Sequence, residues 1–244
     1  MTHSNLTRPN LTRPNLTRPN LTRPDLTRRA LMGVSLLGLG GALSGCVTLL
    51  PETKPVQLYT IRFNPEWLVP PAAVAPAVTD ADSIDVYVSV PAFPRAAAGD
   101  RILTSEGNEV SYVSGGRWAT SAQGMFRDVL SEGFAREGNR VRLANQGRIA
   151  AKYRLDVEVR RFETAYARRR PTVVVTLDAR LVRTDDRVVV AERYITVEES
   201  VRRNNVGDIV QGFEKASTRA VAQVIGFAEE ATAAAKNATP ESVS

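Results

Sequence analysis

Three stretches in the second half of this 244-residue chain alternate so strictly that only a sheet buries them cleanly. Tyr153, Leu155, Val157 and Val159 are apolar, while the charged Arg154, Asp156, Glu158 and Arg160 are interleaved with them. Val173, Val175, Leu177, Ala179 and Leu181 repeat the pattern, and Val188 to Val190 with Tyr194 to Val197 gives it a third time. A period of two sends successive side chains to opposite faces, so each stretch predicts a strand with one buried face. The polar segments between them, Arg168 to Pro171 and Thr184-Asp185-Asp186, are short turns. Adjacent strands joined this way make an antiparallel meander.

Earlier in the chain the same reading finds shorter strands. Val56 to Phe63 alternates, as do Ile84, Val86, Val88 and Val90 around Asp85, Tyr87 and Ser89. Ile102 to Ser105 and Val110 to Val113 flank Glu106-Gly107-Asn108-Glu109 and predict a hairpin, and Val141 to Ala144 is a short strand. The period changes to helical twice. Arg117 to Arg136 puts Trp118, Ala122, Phe126, Val129 or Leu130, and Phe134 or Ala135 on one side, with Gly138-Asn139 as the stop. Asn205 to Glu230 carries Ile209, Phe213, Ala216, Ala220, Val224 and Phe227 on one stripe. The expectation is a single α/β domain: a mixed, largely antiparallel sheet with two long amphipathic helices. Periodicity leaves open whether the helices share a face.

The first 45 residues have a different character. Residues 5–24 are four copies of Asn-Leu-Thr-Arg-Pro, and proline every fifth residue forbids a helix. After Arg28 and Arg29, the uncharged run Ala30 to Leu43 is too short for the ~20 residues of a membrane span. It ends in Leu43-Ser44-Gly45-Cys46, which resembles the lipobox of bacterial lipoprotein signal peptides. There the leader is cut before a cysteine that carries a diacylglyceryl group and a further acyl chain such as palmitate. Thr27 to Met32 partly resembles a twin-arginine export motif, and the export route stays open.

On this reading 1–25 is a disordered repeat within the leader and 26–45 the signal peptide. Residues 46–83 hold the lipid anchor, the first strand and a Pro/Ala-rich loop with Pro70, Pro71 and Pro76. Residues 84–230 are the remainder of a domain spanning about 56–230, and 231–244 is a flexible tail.

Removing that leader changes the charge argument. Six of the 32 basic residues and one of the 26 acidic ones precede Cys46, so the formal charge of +6 shrinks to +1 in the remainder. A nearly neutral domain gives no support to nucleic-acid binding. The residue inventory also restricts chemistry. The single histidine is His3 and the single cysteine Cys46, so Ser-His-Asp, Cys-His and His-ligated metal sites are not expected in the mature protein. There is no Walker phosphate loop. Asp185-Asp186 and Glu198-Glu199 are the paired carboxylates, and the first pair lies in a predicted turn where adjacent acids are simply solvated. No enzyme activity, cofactor or metal is expected, only the covalent lipid on Cys46.

Two basic clusters are candidate contacts for anionic headgroups or an acidic partner: Arg168, Arg169 and Arg170 at a hairpin tip, and Arg202 and Arg203 before the last helix. Trp118 reads as core, and Tyr59 and Tyr87 are left without a role.

Several segments in order resemble the ABC-type transport auxiliary lipoproteins, the paraquat-inducible protein C type. They are Leu49-Leu50-Pro51, Leu58-Tyr59-Thr60-Ile61, Ile84 to Val88, Val90-Pro91-Ala92-Phe93-Pro94, Asp100 to Leu103, Gly116-Arg117-Trp118-Ala119 and Tyr153 to Phe162. Where the family often has Tyr-Leu-Asp-Arg, this chain has Phe93-Pro94-Arg95 and alanines. The resemblance implies a three-layer α/β fold and a non-catalytic role beside an ABC permease and ATPase whose partner carries a mammalian-cell-entry (MCE) domain. It implies intermembrane transport of lipids or other hydrophobic solutes, with docking at the periplasmic face of the outer membrane. Self-association stays open, and the alternative is a scaffold or activator lipoprotein for an envelope-building enzyme. Val47 after Cys46, where aspartate would retain a lipoprotein at the inner membrane, agrees with the outer membrane. Cys46→Ser is expected to move the protein from the membrane to the soluble fraction, as cell fractionation would show; a variant that stays in the membrane would refute the anchor.

Overall fold

A computed structural model describes residues 55–68, 83–144, 151–167 and 170–238. Its centre is β6 (Tyr153–Ala167), paired along its whole length with the antiparallel β7 (Arg170–Arg183), which pairs in turn with β8 (Val189–Ser200). This is the expected meander. The other edge of β6 is shared. Its first residues pair in parallel with β2 (Ile84–Val88), which carries the short β5 (Val141–Leu143). Near its end it pairs with β3 (Arg101–Glu106), which forms the predicted hairpin with β4 (Glu109–Trp118). A three-residue β1 (Gln57–Tyr59) lies parallel to β4. Between β2 and β3, Ala92 bridges to Glu158.

One irregularity in β6 decides which side chains reach the core. Tyr153, Leu155, Val157 and Val159 face inward at alternate positions, and strict alternation would then expose Phe162. The register to β7 shifts between Val159 and Arg161, a bulge that inserts one extra residue and resets the alternation. Arg160 and Arg161 both stay exposed, and Phe162 is buried. There it meets Phe213, with ring centroids 4.7 Å apart, and Phe93 at 5.5 Å. Trp118 stands perpendicular to Phe213 at 5.2 Å, and Phe93 contacts Phe126 edge-on at 5.7 Å. Aromatic pairs at these separations add to the area term of their burial.

Phe126 and Phe213 come from the two long helices. In α2 (Ala122–Glu137), Ala122, Met125, Phe126, Val129, Leu130, Gly133 and Phe134 are buried, the i, i+3, i+4 stripe of an amphipathic helix. In α3 (Val206–Ala238), all six residues of the predicted stripe are buried. The helices pack against each other on one face of the sheet. The opposite face carries Arg154 with Asp156, Arg160 with Asp178, Arg161 with Glu163 and Arg180 with Glu192. The single domain with a mixed sheet and two long helices is as expected.

Other differences are local. The first long helix starts at Ala122, five residues after the expected Arg117, because Ser121 caps it by accepting from the Gly124 N–H at 3.1 Å. Arg117 and Trp118 instead end β4, with Gly115 at φ 78° helping the strand through its bend. The last helix runs past Glu230 to Ala238, into the segment expected to fray. Ala231 and Thr232 are buried there, and the Thr232 hydroxyl donates to the Ala228 carbonyl at 2.7 Å. The first strand is three residues long, since Ile61 and Phe63 leave the sheet to bury among the helices. A one-turn α1 (Arg95–Ala98), which the sequence pattern did not suggest, follows Phe93.

The helix pair approaches closely at Gly133, where a Cβ would lie 2.5 Å from a Val221 methyl and 3.0 Å from the Phe63 ring. Overpacking at such a site costs about 1–3 kcal/mol, partly offset by the ~1 kcal/mol that alanine gains over glycine in a helix. Gly133→Ala is therefore expected to lower the unfolding free energy in urea by up to about 2 kcal/mol. The penalty should largely disappear in a Val221→Ala background.

Candidate functional site

The end of the sheet where β7 begins and β8 ends carries the basic residues singled out by sequence. The Val201 N–H donates to the Pro171 carbonyl at 3.1 Å, which holds the two strand ends together. Arg170 thus sits at the same end of the sheet as Arg202 and Arg203, and all three are exposed. Arg168 and Arg169 lie outside the described residues, as does Cys46.

Arg202 and Arg203 already have a partner. Both approach Asp208, at 3.7 and 3.0 Å, and Arg203 holds it with two hydrogen bonds. The Arg203 hydrogen bond holds the Asp208 carboxyl below its ordinary value and raises the guanidinium above its own. Asp208 sits in the first turn of α3, where a negative charge meets the positive end of the helix dipole. Asn205 caps that turn, accepting from the Asp208 N–H at 2.9 Å. Arg203 therefore fastens the α3 entry, while Arg170 and Arg202 are exposed at the same end of the sheet.

Beside this corner a polar cleft of about 440 Å³ is lined by Thr104, Ser111, Tyr112, Tyr166, Asn204 and Asn205, among others. The Tyr166 hydroxyl donates to Asn204 at 2.8 Å, and burial pushes its phenol pKa up, so it stays a neutral donor. Sequence reading missed Tyr166, Asn204 and Asp208. The pairs join residues from different elements, and no spacing along the chain marks them.

The paired carboxylates are not brought together for chemistry. Asp186 pairs with Arg183 at 3.0 Å in the β7–β8 turn, where Asp185 accepts from the Asp186 N–H at 2.9 Å. Glu198 and Glu199 are neighbours in β8 and point to opposite faces. Glu199 bonds Arg219 of α3.

Arg219 belongs to a second feature absent from the sequence reading, a strap formed by residues 55–68. After β1, the Tyr59 carbonyl accepts from the Ala119 N–H at 2.7 Å, and Ile61 and Phe63 are buried. The Asn64 N–H donates to the Thr218 hydroxyl at 3.2 Å. The strap ends in a 3₁₀ turn (Pro65–Trp67). There the Trp67 indole donates to Glu214 at 3.2 Å and its carbonyl accepts from Arg219 at 2.9 Å. The Lys215 ammonium lies 4.3 Å from the indole ring centre, a cation–π contact.

The Asp208 pairing has a pH signature. A carboxylate whose folded pKa is depressed stabilises the fold above its unfolded value of about 3.9, and loses that contribution as pH falls through the folded value. Asp208→Asn is expected to lower the urea midpoint at pH 7. The difference from the parent chain should close in strongly acidic buffer, where both side chains are neutral.

Among the described residues, no helix is long and apolar enough to cross a membrane. Comparison with curated proteins finds no match. Among solved structures, the fold is similar to a Xanthomonas campestris protein of the DUF330 family, at 24% identity over 75% of this chain and 98% of that one, with a TM-score of 0.59. PelC from Paraburkholderia phytofirmans, crystallised as a dodecamer, matches at 19% identity over 62% of this chain and 88% of its own, with a TM-score of 0.36. A Neisseria meningitidis lipoprotein matches at 12% identity over 64% and 99% of the two chains, with a TM-score of 0.30. The model of one family, described as the ABC-type transport auxiliary lipoprotein component, matches residues 67–225, from the Trp67 clamp to the middle of α3. Covering well over half of the chain, that match makes this protein a member of the ABC-type transport auxiliary lipoprotein family.

Proposed function

We propose that this protein is the non-catalytic auxiliary lipoprotein of an MCE-type ABC transport system, anchored by a lipid on Cys46 and docking the assembly at the periplasmic face of the outer membrane. The observation that carries the reading is the family match over residues 67–225. A transporter auxiliary component has partners to hold and needs no reaction of its own, which suits a domain whose charged sheet face is laced with arginine–carboxylate pairs. The hydrolysis of ATP belongs to the ATPase of the system, and the solute moved between membranes is a lipid or another hydrophobic molecule.

Geometry limits where such a domain works. From Val47 to about Thr53 an extended chain reaches at most ~3.3–3.6 Å per residue, about 25 Å in all. A domain held this way stays close to its own membrane, so an MCE partner anchored in the inner membrane must extend to it. The exposed Arg170 lies at a sheet end where an anionic headgroup or an acidic partner surface would meet it.

Crosslinking in intact membranes, followed by recovery of the lipoprotein, should bring down an MCE-domain protein. Repeated recovery of an envelope-building enzyme with no MCE protein would replace this reading with the scaffold role. Val47→Asp is expected to shift the protein to inner-membrane fractions on a sucrose gradient and to abolish transport with the fold intact. Transport that survives this relocation would rule out docking at the outer membrane.

A further inference from the structure

A cleft of about 630 Å³ lies between α2 and the ends of β2 and β5, well away from the Arg203–Asp208 corner. Its cause is visible in α2. Arg127, Ser131 and Ala135 succeed one another at i+4 spacing on an exposed stripe, and the last two are too short to fill the space beside the sheet. The floor is apolar, made of Leu130, Phe134 and Val141, all buried. On the sheet side the wall is Val88 and Val90, the latter 57% exposed. The size falls within the ~300–1,000 Å³ range of sites for small ligands.

The charged residues of the lining are cations, each paired with a carboxylate just outside it. Among the described lining residues the charged groups are Arg127 and Arg142, with no carboxylate. Arg142 is engaged as a fork on Asp85, at 2.8 and 3.2 Å. Arg127 bonds one oxygen of the neighbouring Asp128 through Nε and one Nη, at 3.2 and 3.0 Å, and both side chains are exposed. Those two bonds use part of the guanidinium's donor set, and the remaining donors can meet an anion. The exposed Ser131 adds a neutral hydroxyl at the rim, and the Ser89 hydroxyl donates to the Leu155 carbonyl at 3.3 Å.

An apolar floor under a cationic, hydroxyl-bearing rim selects its ligand by chemistry. A neutral hydrocarbon would make no use of the remaining Arg127 donors, and a compact polyanion would leave the floor wet. We propose that this cleft binds a single-chain anionic amphiphile, its tail over Leu130, Phe134 and Val90 and its head group on Arg127. Such binding goes beyond docking, and it is tested on the purified chain alone, so its failure leaves the docking role standing.

The test uses the full chain carrying Cys46→Ser and a fluorescent fatty acid, dansylaminoundecanoate. Saturable fluorescence enhancement is expected, with displacement by laurate, by dodecyl phosphate or by both. The stronger competitor tells a carboxylate head from a phosphate one. Arg127→Glu should weaken binding by about tenfold, and Ser131→Phe, which fills the cleft from an exposed position, should abolish it. Circular dichroism of both variants checks that the fold is kept. The proposal is overturned if no saturable signal is seen, if dodecanol competes as well as the anions, or if both folded variants bind like the parent. It is equally overturned if binding appears only once residues 69–82 are replaced by a Gly/Ser linker, which would make that segment the natural occupant.

Discussion

The inward turn of Phe162 is the interaction on which the rest of this domain depends. One extra residue at the Val159–Arg161 bulge lets a strand with charged residues at every second position bury its apolar side chains on both sides of the irregularity. Phe162 then becomes the point where four elements meet: Phe213 from α3, Phe126 from α2, Trp118 from β4 and Phe93 from the loop before α1. Without the bulge that ring would face water beside Arg161, and the helices would have no common aromatic centre. Both β3 and β2 pair with the same edge of β6, so the bulged strand also sets how the two halves of the sheet meet.

The parts of this architecture that were legible in the sequence are those that follow from a local period. The meander and the α3 stripe were read correctly because alternation and 3.6-residue spacing are properties of neighbours along the chain. The family was legible too, since its short segments occur in order. What was missed follows from contacts distant in sequence. Residues 117–118 show a helical pattern with the residues after them, yet the Trp118 N–H donates to the Asp100 carbonyl at 2.7 Å, and that pairing keeps the segment in the strand. Ala231 to Ala238 looked like a tail because it is small and polar. The burial of Ala231 and Thr232 comes from the body of the domain, which composition does not reveal.

The candidate site was less legible than the fold. Arg202 and Arg203 were recognised as a cluster, but the feature that defines their role is Asp208, five or six residues on and drawn back by the bend before α3. A run of like charges in a sequence suggests an unpaired basic surface, while in space one acid draws part of it into a local ion pair. Trp67 drew no notice amid prolines and alanines, and its partners Glu214 and Arg219 lie about 150 positions away. The cleft beside α2 arises from what Ser131 and Ala135 lack, and small residues on a polar helix face look unremarkable in one dimension.

The strap gives the chain's entry into the domain at Pro55 a mechanical character. A pull entering at Pro55 first meets the backbone pairs of β1 with β4, then the buried Ile61 and Phe63, and last the Trp67 clamp on α3. These restraints follow one another along the chain, and the first already reaches the aromatic centre, because Tyr59 of β1 pairs with Trp118 of β4. The domain is thus built like a rope belayed at three points, with the first belay tied to its packed interior.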